Sequence, residues 1–112
     1  MIDAGGIGEI IATYKKHGWI LRRVLLSQAS KAVLKGAVEG VFGGVSVADS
    51  DIDAAWFSRP PKPGGVAWEI RYLGNVPFAL LENLDENDPG FDSALRAVEV
   101  RIGESIAAKK SA

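Results

Sequence analysis

Apolar residues recur every three or four positions near both ends of the chain and alternate with polar ones in its middle. Ile7, Ile10, Ile11 and Tyr14 fall at i, i+3, i+4 and i+7, one face of a helix. Gly18 is placed to end it, because glycine takes the left-handed cap conformation without steric cost. WILRRVLL (19–26) is rich in β-formers and its apolar residues settle on no single face, which predicts a strand. Ser27 or Ser30 can cap a second helix, striped by Val33, Leu34, Ala37, Val38 and Val41 and weakened by Gly36. FGGV then breaks the chain, and DAAWFSR (53–59) predicts a strand. PPKPGG (60–65) predicts a stiff loop, since proline has no N–H for a ladder. Phe91, Leu95, Val98, Ile102 and Ile106 stripe a long C-terminal helix, with Asp88 as cap and Pro89 at its first position.

The strongest local signal is a hairpin. VAWEIRYL (66–73) and VPFALLEN (76–83) flank a Gly74-Asn75 pair suited to a two-residue turn. That turn pairs Leu73 with Val76, Arg71 with Phe78 and Glu69 with Leu80. Trp68, Ile70, Tyr72, Pro77, Ala79 and Leu81 then share the other, more apolar face, which is assigned to the core. Pro77 suggests a sheet edge. With Leu95, Val98 and Ile102 from the last helix, Trp68, Ile70, Tyr72 and Leu81 form the expected core. The element order is α-β-α-β-β-β-α. The fold class expected is α+β, a single domain over 1–112, with an antiparallel sheet of about four strands and helices packed on one face.

Composition narrows the function classes more than it names one. The 112 residues are 47% hydrophobic and 24% charged, ordinary for a globular domain. A formal net charge of −1 offers no field for nucleic acid or anionic lipid. No cysteine is present, so disulfides, thiolate metal sites and cysteine nucleophiles are excluded. Asp3 stands where a secretory leader carries positive charge, and no apolar run approaches the ~20 residues of a membrane span. The expectation is a soluble, cytoplasmic protein.

Chemistry is concentrated in DSDIDAAWF (49–57). An EF-hand is excluded: its glycine position holds Ala54 and its bidentate glutamate position holds Pro60. GGIGEI (5–10) lacks the preceding strand of a dinucleotide loop and reads as a flexible lead-in. His17, the single histidine, suits a helix end. An acid…E-x-K nuclease core would need lysine where Arg71 stands, and arginine is no general base. VFGGVSVADSDIDAAWF (41–57) resembles the minimal nucleotidyltransferase signature: Gly43 and Gly44 match its small-residue turn, and Asp51 and Asp53 its acid-x-acid pair. The resemblance implies that Asp51, Asp53 and a later acid, Glu69, hold a metal and nucleotide phosphates. Six residues separate Gly44 from Asp51, with no lysine or arginine among them. The reading preferred for Asp49, Asp51 and Asp53 is the polar mouth of a strand, capping backbone N–H groups without metal.

The outer hairpin face mixes charge with large apolar groups, too apolar for solvent alone, so either another element of the chain or a partner covers it. With Arg59 added, Arg59, Glu69, Arg71 and Phe78 form the expected interaction surface. The leading functional expectation is therefore a small binding module, not an enzyme, that meets a protein partner or self-associates through the exposed sheet face. It needs no cofactor, binds neither nucleic acid nor membrane, and its small-molecule ligands are undefined. The alternative is a divergent metal-dependent nucleotidyltransferase using Asp51, Asp53 and Glu69.

Overall fold

The structure, a computed structural model, describes residues 3–59 and 66–111. The PPKPGG stretch (60–65) lies outside the described residues. Asp3 caps α1 (Ala4–Lys16), its carboxylate accepting the Gly6 N–H at 2.7 Å. The GGIGEI segment is thus helical from Ala4 onward, because Asp3 satisfies the first orphan amides. Gly18, at φ +87°, ends the turn as its glycine identity predicts. Strand β1 (Ile20–Leu26) follows. Ser27 then caps α2 (Gln28–Leu34) by accepting from the Ser30 N–H. The single helix expected here is interrupted: a 3-10 turn over Lys35–Ala37 separates α2 from α3 (Val38–Phe42). The break falls where Lys35, at φ +43°, leaves helical geometry directly before Gly36, a residue that disfavours a helix by about 1 kcal/mol against alanine.

Gly43, at φ +67°, turns the chain into β2 (Ser46–Asp49), a strand absent from the expected order. It runs parallel to β1, so β1, the helical crossover and β2 form a β-α-β unit. Strands β3 (Ala54–Ser58), β4 (Ala67–Tyr72) and β5 (Ala79–Asn83) complete a five-stranded sheet in the order β2-β1-β3-β4-β5. The sheet is mixed: β1–β2 is parallel and the other pairings are antiparallel. The chain is an α+β domain. The sheet has one strand more than expected, and it is not wholly antiparallel.

Helices cover both sheet faces rather than one. Ile7 and Ile11 of α1, Leu34 of α2 and Phe42 of α3 pack with Val24, Leu26, Ala55 and Phe57. On the opposite face, α4 (Phe91–Ser111) presents Leu95, Val98, Ile102 and Ile106 to Leu25, Trp56, Trp68 and Ile70. The cause lies in β1 and β3, whose residues are apolar on both faces, so that each face needs cover. Every residue of β3 is buried. Helix α4 begins at Phe91, not at Pro89. Asp88 forms the turn before it, accepting the Gly90 N–H on its side chain and the Phe91 N–H on its carbonyl. No helix among the described residues is long and apolar enough to cross a membrane.

Two register details decide where the site residues point. In β1, Leu21 pairs with Phe57 and Arg23 with Trp56, leaving Arg22 as a bulge. The extra residue turns Arg22 and Arg23 toward the same face, α4's, instead of opposite ones. In the hairpin, Arg71 pairs with Ala79, Ile70 with Leu80 and Glu69 with Leu81. This is one residue away from the register expected for a Gly74-Asn75 turn. The Leu73 N–H bonds the Asp53 carbonyl at 2.8 Å, and its side chain is buried under α1. Leu73 therefore extends the β3 pairing and is lost to the turn, and Tyr72 closes the ladder on the Phe78 carbonyl at 2.8 Å. Pro77 sits in the widened loop. A one-residue slip exchanges faces along a strand. Leu80 and Phe78 pack toward α4, while Leu81, expected in the core, is 62% exposed. The rest of the expected core, Trp68, Ile70, Tyr72, Leu95, Val98 and Ile102, is buried.

Candidate functional site

The three aspartates ahead of β3 do three separate things. Asp49, at the end of β2, pairs with Lys31 of α2. Asp53 accepts the Ser27 N–H on its carboxylate at 2.8 Å, tying the start of β3 to the α2 cap. Asp51 is exposed and lines a groove beside α4. Residues 51 and 52 form a bend ahead of β3, so Asp51 and Asp53 do not share a strand face. Glu69 lies elsewhere. It pairs across the sheet with Phe57, four residues along from Asp53, roughly 13 Å of strand. Its carboxylate accepts the Tyr14 hydroxyl proton under α1. Asp51, Asp53 and Glu69 thus do not converge, and no group of three His, Asp or Glu side chains suited to a metal occurs among the described residues.

The four residues of the expected interaction surface are also divided. Arg59, Glu69 and Arg71 lie on the α1 side of the sheet. Arg59 stacks over the Trp19 ring, 5.1 Å from its centroid, and donates to the His17 carbonyl at 3.3 Å, pinning the corner between α1 and β1. Arg71 donates to the Tyr72 carbonyl at 2.8 Å. It borders a cavity of about 360 Å³ with Glu9, Thr13 and Tyr14 of α1. Phe78 lies on the other face, where the Lys109 ammonium sits 4.9 Å from its ring centroid. The outer hairpin face is in large part covered by α1. Its β5 flank, at Leu81 and Asn83, stays open among the described residues.

Tyr14 holds that cover in place. Its ring stacks on Phe57 at 4.1 Å between centroids. Burial first, then the hydrogen bond to Glu69 and that group's negative charge, raise the phenol above its usual value, while Arg71 opposes them. An unfolded tyrosine ionises near ~10. Above that pH the unfolded chain loses a proton that the folded chain retains. The contribution of Tyr14 to stability is therefore complete below pH ~10 and declines as pH rises beyond it. A difference titration of the native chain against Tyr14→Phe, read by phenolate absorbance, should show a phenol that stays protonated past the ordinary midpoint. A Tyr14 midpoint at the ordinary value would contradict the buried pairing.

Sequence reasoning missed two arrangements on the α4 face. Glu99 accepts both the Trp56 indole N–H at 2.8 Å and the Arg23 Nε at 3.1 Å. Arg22 bonds Glu86 at 2.6 Å and lies 4.7 Å from the Trp68 ring centroid. No periodicity announces a bulge, so nothing local brought the two arginines together. The other missed feature was legible: Arg96, Val100, Gly103 and Ala107 recur at helical spacing, a second stripe beside the core stripe of α4. No family model matches the chain, and no curated protein or solved structure matches it either.

Proposed function

We propose that the chain is a small protein-interaction module that docks an extended segment of a partner on the open edge of β5. The observation that carries this reading is the double exposure of Leu81. Its side chain is 62% exposed, and its backbone faces the edge. The second point follows from the ladder. Tyr72 donates to the Phe78 carbonyl and Leu84 to the Val66 carbonyl, so alternate pairs between them are the hydrogen-bonded ones. Ala79, Leu81 and Asn83 consequently direct their N–H and C=O groups away from β4.

An edge of this kind is a template for another strand unless it is blunted. The segment Ala79–Asn83 carries no lysine, arginine or proline. Its one charge, Glu82, is bound to Arg101 of α4 at 2.5 Å. The opposite edge, β2, is four residues long and ends in the Lys31–Asp49 pair. Strand addition draws affinity from main-chain hydrogen bonds and specificity from alternate side chains. Here those side chains would meet Leu81. With a net charge of −1, the partner sought is a protein rather than a nucleic acid.

The test is a panel of random seven-residue peptides screened against the native chain and against Leu81→Asp. Selected peptides should bind the native chain at least tenfold more tightly, and should slow hydrogen exchange at the amides of Ala79, Leu81 and Asn83. Peptides that bind both chains equally, or that protect other amides, would overturn the proposal.

A further inference from the structure

Helix α4 has a second face that the described residues leave unfilled. Leu95, Val98, Ile102 and Ile106 are buried against the sheet. Arg96, Val100, Gly103 and Ala107, spaced by four, three and four residues, line a groove of about 730 Å³ between the helix and the loop bearing Asp51. Val100 is 61% exposed there. A Cβ added at Gly103 would meet nothing among the described residues, so their packing does not require a glycine at a position where glycine disfavours the helix.

The charges along this face are self-complementary. Arg96 and Glu104 stand four residues either side of Val100. Neither side chain has an ion pair or hydrogen bond among the described residues. Each lies about 6 Å from Val100 along the helix axis. If a second α4 is laid antiparallel across the first, with the twofold axis at Val100, Arg96 of each copy falls opposite Glu104 of the other. Val100 then meets its own counterpart, beside the open space at Gly103.

We propose that a second copy of this chain docks in this groove, α4 against α4, through an isologous contact centred on Val100. The surface is separate from the β5 edge, and neither proposal needs the other. Only one of the two can be a self-contact in a closed dimer, since two different self-contacts on one chain build assemblies larger than a dimer. The symmetric charges assign self-association to α4.

Charge exchange tests the register. Light scattering of the native chain from micromolar to millimolar concentration should approach twice the 11.9 kDa chain mass, with the dimer weakened by salt. Arg96→Glu gives both copies acid at both positions and should be monomeric. Glu104→Arg should be monomeric for the converse reason. Mixing these two variants, or combining both substitutions in one chain, should restore the dimer, because each recreates opposed charges. Circular dichroism like that of the native chain establishes that the single variants fold. A native chain that is monomeric throughout would overturn the proposal and leave the groove to a different protein. So would a dimer that ignores the single exchanges, or single exchanges that neither mixing nor the double variant restores.

Discussion

Trp56→Ala should destabilise the chain by about 3–5 kcal/mol, the range for removing a large aromatic from a packed core. Trp56 is fully buried at the centre of the sheet, on the middle strand β3. Its ring meets Trp68 edge-on with centroids 6.1 Å apart, and its indole N–H is held by Glu99. The substitution removes the buried area, the aromatic contact and one donor from a carboxylate that is itself only partly solvated. A domain of this size is stable by roughly 5–15 kcal/mol, so the loss takes a large share of the total. At roughly 4 °C per kcal/mol, the melting midpoint should fall by at least ~12 °C. Thermal unfolding followed by near-ultraviolet circular dichroism reads this directly. A midpoint within a few degrees of the native value would mean that α4 does not close over this face as described.

The second large effect belongs to Glu99. Glu99→Leu should cost about 3 kcal/mol, because the Trp56 indole N–H and the Arg23 guanidinium lose their shared acceptor where water scarcely reaches. The Glu99 side chain is 14% exposed and that of Arg23 30%, which places the pair between a surface bridge and a fully buried one. Leucine regains part of the loss by packing, which keeps the figure below the upper end for buried pairs. Glu99→Gln retains a neutral acceptor and should cost about half as much. The decisive variant is Arg23→Met in the Glu99→Leu background. Removing the stranded charge should then cost less than it does in the native background, a coupling of about 0.5–3 kcal/mol. Urea denaturation of the four chains measures it. Additive losses would show that Arg23 and Glu99 do not act as a unit.

These two predictions concern residues that the sequence presents without any hint of their association. Trp56 and Glu99 are 43 positions apart. Arg23 and Glu99 meet only because the bulge at Arg22 rotates β1, and a bulge is a property of the paired strands rather than of either one. The residues of the expected interaction surface are divided for a related reason. Glu69 and Arg71 share a face with Arg59, whose register the sequence leaves open, but Phe78 is carried to the other face by the slip of β5. A Gly-Asn pair favours a two-residue turn only through local backbone preference, a term of roughly 0.5–1 kcal/mol for a glycine. The burial of Leu73 beneath α1, worth about 1.5–3 kcal/mol, exceeds it. Gly74 is nonetheless needed in the wider loop: a Cβ there would lie 2.3 Å from the Tyr72 hydroxyl.

What the chain determines by itself is local. The stripe of α1, the Ser27 cap, the stop at Gly18 and the core stripe of α4 each depend on residues within a few positions of one another. Helix hydrogen bonds span four residues, so these signals are complete in the sequence. The strand character of β1, β3 and β4 is likewise written in their apolar content, and from it the α+β class follows. The tertiary structure alone decided which strands are neighbours, which face each residue takes, and whether a short segment such as Ser46–Asp49 becomes a strand at all. A strand residue has no hydrogen-bond partner in its own segment. Its state is settled by distant groups, as when the Leu73 amide meets the Asp53 carbonyl or β2 lies down beside β1. Because side chains alternate with a period of two, each such long-range choice also decides what the surface shows, which is why Leu81 and not Phe78 stands at the open edge.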